Sequence, residues 1–142
     1  MIAEITLQTI LAAIVGAIWA TPLVVSPAAR NSLDKDALRF FLKSYFLRFN
    51  LFLILMLSFY IGVIYFFLLP EYELLWSSGK NLTMLILLGF NVFNFFLGLI
   101  IDNTKIDNSS NFFKFMHAFS VAILAATSFI ALYFLIEKFL QI

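Results

Sequence analysis

The chain contains no cysteine and little charge. Nine Lys and Arg, eight Asp and Glu and one His stand among its 142 residues, so charged residues make up only 12 % of the total, against roughly 25 % in an ordinary soluble domain. The absence of cysteine excludes disulfides, thiolate metal ligands and a cysteine nucleophile. A net charge of +1 gives no field that would attract nucleic acid, which is therefore excluded as a partner.

The chain is instead rich in apolar residues. They make up 63 % of the chain, and 19 of them are Phe. A soluble domain of about 150 residues buries only about 70 % of the surface that its unfolded chain exposes, so an aqueous core does not hide this much apolar surface. The composition excludes a soluble globular domain, and its low charge excludes disorder. We therefore expect an integral membrane protein with the lipid bilayer as its partner.

Four runs lack charge for long enough to cross about 30 Å of hydrocarbon, which takes about 20 helical residues. They are Ile5–Ala29, Phe49–Pro70, Asn81–Ile101 and Phe115–Ile136. Each run should be a helix, because every backbone N–H and C=O needs a partner inside lipid. The prediction is an all-α membrane protein in which residues 1–142 form a single four-transmembrane-helix bundle, with spans at about 5–26, 49–70, 81–101 and 115–136.

The Lys and Arg residues between the spans predict the orientation of the chain. Seven of them lie in the first and third loops: Arg30, Lys35, Arg39, Lys43, Arg48, Lys105 and Lys114. Only Lys80 and Lys138 lie on the other side. Because positive loops stay in the cytoplasm, we expect loops 1–2 and 3–4 inside and both termini outside, in a multi-pass protein of the bacterial inner membrane.

The first loop is predicted to be a basic amphipathic helical segment between the first two spans. Asp34 and Asp36 suit a first helical turn, while Lys35, Arg39 and Lys43 recur every four residues on one stripe. Such a segment lies in the headgroup layer or runs straight into the second span. Its cations either bind an anionic lipid, ligand or partner, or serve only as a positive-inside anchor.

Two asparagines interrupt the third span. Asn91 and Asn94 share one helical face with Gly98, and Asn91 stands at the middle of the run. Polar residues in spans cost free energy, so two interpretations stay open. Either the two amides bind an ion or a polar ligand, or Gly98 allows close helix packing and each amide bonds to a neighbouring helix.

The first span carries small residues and ends near two prolines. Thr9, Ala13, Gly16, Ala17 and Ala20 lie along one side and predict a seam where backbones approach closely. Pro22 and Pro27 are expected to end this helix, because proline interrupts the hydrogen-bond ladder. Gly16, Gly98 and Pro27 are thus predicted to have structural roles.

His117 is the only histidine in the chain and lies two residues inside the fourth run. It is a candidate haem ligand, proton relay or metal ligand, although a lone His does not build a protein-only metal site. With Arg39, Lys43 and Arg48 it is expected to form a positive pocket for an anionic lipid or ligand, unless these cations only extend to the headgroups. No catalytic arrangement of Ser, His and Asp is visible in the sequence.

Two parts of the sequence resemble a known family over nearly the whole chain. The first runs through Val24-Val25-Ser26-Pro27, Leu33-Asp34-Lys35-Asp36-Ala37 and Phe46-Leu47-Arg48-Phe49, and the second joins the third span to Phe115-Met116-His117-Ala118-Phe119-Ser120. Together they resemble the small four-helix family typified by transmembrane protein 205. The resemblance implies a four-helix bundle of poorly known activity and favours Pro27 and His117 as site positions.

The copper-resistance D and HemJ-type families are similar in size and layout. The HemJ type is expected to have a His in its first span, where this chain has Gly16 and Trp19. That difference argues against a haem enzyme.

Three functions follow as hypotheses. The favoured one is a non-enzymatic accessory, transport-linked or assembly component, acting alone, as a homo-oligomer or in a membrane complex. The alternatives are a haem- or tetrapyrrole-binding redox protein centred on His117, and a small oligomeric channel or transporter whose path is lined by Asn91 and Asn94.

Overall fold

The computed structural model of the protein describes residues 1–70, 73–103 and 110–140. Nearly all of these residues are helical, and none of the described residues forms a strand. The α-helices are α1 (Ile2–Ala20), α2 (Ser26–Ser32), α3 (Lys35–Val63), α4 (Gly79–Asn103) and α5 (Asn111–Leu140). Most of the polar third loop, with Lys105, lies outside the described residues.

The predicted all-α architecture with four membrane-length helices is confirmed. Four continuous helical segments are long and apolar enough to cross a membrane: Ile2–Ser32, Lys35–Leu68, Gly79–Ile101 and Asn111–Glu137. The first exceeds its predicted span because a short π-helical turn, Thr21–Val25, joins α1 to α2. The second exceeds its predicted span because α3 already begins at Lys35, and it ends in another π-helical turn, Ile64–Leu68. A short 3₁₀ turn, Leu75–Ser77, precedes α4.

The prediction that Pro22 and Pro27 end the first helix is wrong. The chain stays helical through both prolines and leaves the helical region only at Leu33, whose backbone is extended. Pro22 lies in the π-helical turn, where the N–H of Ser26 donates to the carbonyl oxygen of Thr21 five residues earlier. This wider turn accommodates the proline ring, and Pro27 stands in the first turn of α2, where a missing N–H costs little.

The basic segment of the first loop is the N-terminal part of α3 and runs without a break into the second span. Asp34 caps this helix, because its carboxylate accepts a hydrogen bond from the backbone N–H of Ala37 at 2.8 Å. Asp36 follows in the first turn, where the helix dipole favours negative charge. Of the two predicted arrangements, the structure has the continuous helix.

Each of the four long helices packs against two of the others, which gives a square up-and-down bundle. α1 contacts α3 and α5, and α4 contacts the same two helices. One end of the bundle, the terminal end, holds the start of α1, the end of the second segment, the start of α4 and the end of α5. The opposite end, the basic end, holds α2, the start of α3 and the start of α5.

The core follows a spacing of three and four residues along each helix. On α4 the buried positions are Met84, Leu87, Asn91 and Asn94. Residues at this spacing share one face of a helix, and the same spacing is typical of helices that cross at shallow angles. The remaining core on α1 and α3 is mostly aliphatic: Ile10, Leu11, Ile14, Ile18, Leu53 and Leu57.

At the basic end a hydrogen bond joins the first π-helical turn to α3. Thr21 is buried, and its hydroxyl lies 2.8 Å from the hydroxyl of Tyr45. The ring of Tyr45 stacks between those of Phe41 and Phe49, with centroids 5.9 and 5.7 Å away. The segment that contains Pro22 is therefore held against α3.

Candidate functional site

A layer of buried polar side chains crosses the bundle between α3, α4 and α5. We call it the polar layer, and its members are Asn50, Asn91, Asn94, Thr127 and Ser128. None of these residues is more than 5 % exposed, so they are as buried as the leucines around them. Burial without hydrogen bonds is costly for amides and hydroxyls, so the partner of each polar atom matters.

Asn91 joins α4 to α5. Its amide nitrogen Nδ2 donates to the hydroxyl oxygen of Thr127 and to the carbonyl oxygen of Leu87, both at 2.9 Å. The hydroxyl of Thr127 in turn donates to the carbonyl oxygen of Ile123 at 2.8 Å. These hydrogen bonds fix the orientation of the Asn91 amide, and its oxygen Oδ1 takes part in none of them.

Asn94 joins α4 to α3 on the opposite flank. Its nitrogen Nδ2 donates to Oδ1 of Asn50 at 3.4 Å, a long hydrogen bond between two buried amides. Because Asn91 and Asn94 are three residues apart on one face of α4, the helix is tied to both of its neighbours within a single turn.

Three buried oxygens of the polar layer have no hydrogen-bond partner among the residues that the structure describes. They are Oδ1 of Asn91, Oδ1 of Asn94 and Oγ of Ser128. An unsatisfied buried polar group costs about 1–3 kcal/mol, so this arrangement is expensive for helix packing alone. The five members of the layer offer amide and hydroxyl oxygens as acceptors and include no ionisable side chain.

The prediction that Asn91 and Asn94 face protein is confirmed by their burial at 0 % and 1 % exposure. The close-packing roles predicted for Gly16 and Gly98 are wrong within this chain. Gly16 is exposed, Gly98 is half-buried, and a methyl group added at either would meet no atom within 4 Å. The larger Ile10, Leu11 and Ile14 are the buried core residues of α1 instead, and Gly16 faces outward together with Thr9 and Ala13.

The structure does not bring His117 and the cations of α3 into one pocket. His117 is exposed on α5, and its ring stacks on that of Phe113 with centroids 6.3 Å apart. Arg39, Lys43 and Arg48 are exposed on α3, which lies diagonally across the bundle from α5. Binding of an anionic lipid by these residues stays a prediction, as does any role of the exposed Pro27 beyond its place in α2.

The depth of a polar residue within its charge-free run is a second signal in the sequence, and it bears on which residues contact Asn91 and Asn94. Asn50 stands just inside the second charge-free run, and Thr127 with Ser128 stands near the middle of the fourth. Asn91 also stands at the middle of its run, so matching polar residues by depth would have paired Asn91 with Thr127 and Ser128. Asn50 stands at the edge of its run, and depth alone would not have predicted its contact with Asn94.

Among the described residues, no group of three or more His, Cys, Asp or Glu side chains lies close enough to hold a metal ion. The comparisons with known proteins add no family: no protein-family model, curated protein or solved structure matches the chain. The resemblance to the transmembrane protein 205 family therefore stays a prediction, and the function has to be argued from the residues themselves.

Proposed function

We propose that the chain is a non-enzymatic, transport-linked multi-pass membrane protein whose polar layer recognises a small polar solute or monovalent cation. The observation that carries this proposal is the set of three unpartnered buried oxygens, on Asn91, Asn94 and Ser128. Polar groups within membrane-spanning helices are expensive and most often serve a binding or transport pathway.

The outside of the bundle supports insertion into a bilayer. Large aromatic side chains face outward at mid-height, among them Phe59, Phe93 and Phe129, each at least half exposed. Water-soluble monomers rarely leave such apolar surface uncovered, whereas lipid tails solvate it. Compared with a water-soluble protein the arrangement is reversed, because amide side chains are buried and phenyl rings are exposed.

The chemistry of the polar layer limits the solute. Free amide and hydroxyl oxygens accept hydrogen bonds from a donor or coordinate an alkali cation, and no carboxylate is present among them to hold a divalent ion. A neutral solute with N–H or O–H groups, or a partly dehydrated monovalent cation, satisfies all three oxygens.

Flux through proteoliposomes tests the proposal. Purified protein is reconstituted, and two fluxes are measured: potassium release, and urea uptake followed by light scattering. We expect one flux above that of empty vesicles, and we expect Asn91→Leu and Asn94→Leu to abolish it. Asn81→Leu is the matched control, because Asn81 lies on the same helix outside the polar layer.

Stability measurements separate recognition from helix packing. Asn91→Leu removes one interhelical hydrogen bond, to Thr127, and should lower the free energy of unfolding by no more than about 0.6 kcal/mol, the average for interhelical hydrogen bonds in membranes. A folded variant without flux supports the proposal. Absence of both fluxes in the wild type would show that the polar layer only holds the helices together.

A further inference from the structure

A second polar feature lies at the terminal end of the bundle, apart from the polar layer. It is a cleft of about 370 Å³ to which all four long helical segments contribute, and we call it the terminal cleft. Its polar lining comes from Glu4 and Gln8 on α1, Tyr60 on α3, Lys80 on α4 and Glu137 on α5. The volume lies within the range of about 300–1,000 Å³ typical of small-molecule sites.

The cation of the terminal cleft is already engaged. Nζ of Lys80 lies 3.3 Å from Oε2 of Glu137 and 4.9 Å from the centroid of the Phe134 ring. Both side chains of the ion pair are about one-third exposed. Lys80 is thus held by a carboxylate and an aromatic face, and its positive charge is balanced within the wall.

The polar groups that remain are mostly acceptors. Oε1 of Gln8 is buried and has no hydrogen-bond partner. Tyr60 also lines the cleft and is only 1 % exposed, and its hydroxyl can accept as well as donate a hydrogen bond. The amide of Gln8 and the hydroxyl of Tyr60 therefore belong to the wall of one cleft, and both groups can accept a hydrogen bond from a ligand that donates.

The charges of the cleft agree with this donor requirement. Two carboxylates, Glu4 and Glu137, line it together with one ammonium group, Lys80. Glu4 also lies 3.9 Å from the amino group of Met1. Among the described residues that line the cleft, carboxylates outnumber cations, which favours a cationic ligand.

We propose that the terminal cleft binds an organic ammonium group. The ammonium donates to Gln8 Oε1, the Tyr60 hydroxyl and the Glu137 carboxylate, while Leu7 and Leu68 contact its carbon chain. A primary amine supplies three N–H donors and one positive charge, which matches the acceptors and the net charge of the wall. Two sources carry this group, the headgroup of an aminophospholipid and a soluble amine.

Calorimetric titration with butylammonium chloride tests the proposal on the intact protein in phosphatidylcholine nanodiscs. We expect saturable binding of butylammonium and none of 1-butanol, which has the same carbon chain without the charge. Tyr60→Phe should weaken binding about tenfold through loss of one charge-assisted hydrogen bond, and Glu137→Gln at least as much. Glu73→Gln, an exposed carboxylate at the same end, is the matched control and should bind as wild type.

Tyr60→Phe keeps the test interpretable, because it removes only a hydroxyl and leaves the buried aromatic ring in place, and the melting temperature of the variant is measured alongside. Equal binding of butylammonium and 1-butanol, or unchanged binding by both Tyr60→Phe and Glu137→Gln, would overturn the proposal. The inference does not depend on the polar layer, since loss of solute flux leaves amine binding in place.

A second arm identifies the source of the amine. In nanodiscs that contain phosphatidylethanolamine, a lipid ligand would compete with butylammonium and weaken its apparent affinity, and native mass spectrometry would show a retained lipid that Tyr60→Phe releases. A soluble amine would titrate identically in both kinds of nanodisc.

Discussion

The two ends of the bundle direct their charged side chains in opposite ways. At the terminal end, Lys80 and Glu137 meet between α4 and α5 and line a cleft. At the basic end, Arg39, Arg48 and His117 are exposed on the outside of α3 and α5. The end with more cations thus has them outside the bundle, while the end with fewer has a polar interior.

This difference follows from topology. In an up-and-down bundle, the first turn of one helix always lies beside the last turn of the next, so Lys80 near the start of α4 meets Glu137 near the end of α5. The cations of α3, by contrast, are exposed on its N-terminal part, ahead of the core positions that begin at Phe49. Cation density in the sequence therefore predicts membrane orientation, and charge matched across helix ends predicts an interior site.

The largest effect that tests this comparison is all-or-none labelling. The chain has no native cysteine, so Ser32→Cys at the basic end and Ser77→Cys at the terminal end are the only thiols in their variants. We expect Ser77→Cys to react with an impermeant maleimide in intact cells and Ser32→Cys to react only after permeabilisation. The reverse pattern would place the basic end outside and contradict the orientation predicted from Lys and Arg.

Breaking the Lys80–Glu137 pair should give the next largest effect. Lys80→Met leaves a carboxylate that is only about one-third exposed without its cation, which should cost about 1–2 kcal/mol, between the values for exposed and buried pairs. Unfolding in mixed micelles measures the change. The double variant Lys80→Met/Glu137→Met should recover most of the loss, and a double variant as unstable as the single one would contradict the pairing.

The smallest effect is expected at the basic end. His117→Ala and Arg48→Ala each remove an exposed side chain and should change the free energy of unfolding by less than about 0.5 kcal/mol. Native mass spectrometry should find the same bound lipids in both variants as in the wild type. If both single variants lose one anionic lipid and the double variant loses no more, the two residues share one binding pocket. That result would contradict the proposed difference between the two ends.

The fold could be predicted because membrane crossing depends on composition alone. Four charge-free runs of sufficient length required four helices, and the cost of an amide in lipid placed Asn91 and Asn94 inside. The prediction for the prolines was wrong because a single π-helical turn accommodates Pro22. Such a turn differs from an α-helix by one residue in hydrogen-bond spacing, and hydropathy does not reveal this difference.

The candidate site could be predicted only in part, because its composition depends on how each helix is rotated. The small residues around Gly16 permit close approach, but the bulky Ile10, Leu11 and Ile14 gain more by burial and rotate α1 so that Gly16 faces outward. The terminal cleft joins residues from four helices, which no spacing within one helix reveals.

The unbroken helix Lys35–Leu68 has a mechanical consequence. Its 34 residues measure about 51 Å at about 1.5 Å per residue, which exceeds a hydrocarbon layer of about 30 Å by about 20 Å. The α-helical hydrogen bonds run without a break from Lys35 to Val63, so the basic residues at the start of α3 and Asn50 belong to one stiff element. A tilt of its basic end is therefore expected to reach Asn50 and the 3.4 Å hydrogen bond that it accepts from Asn94.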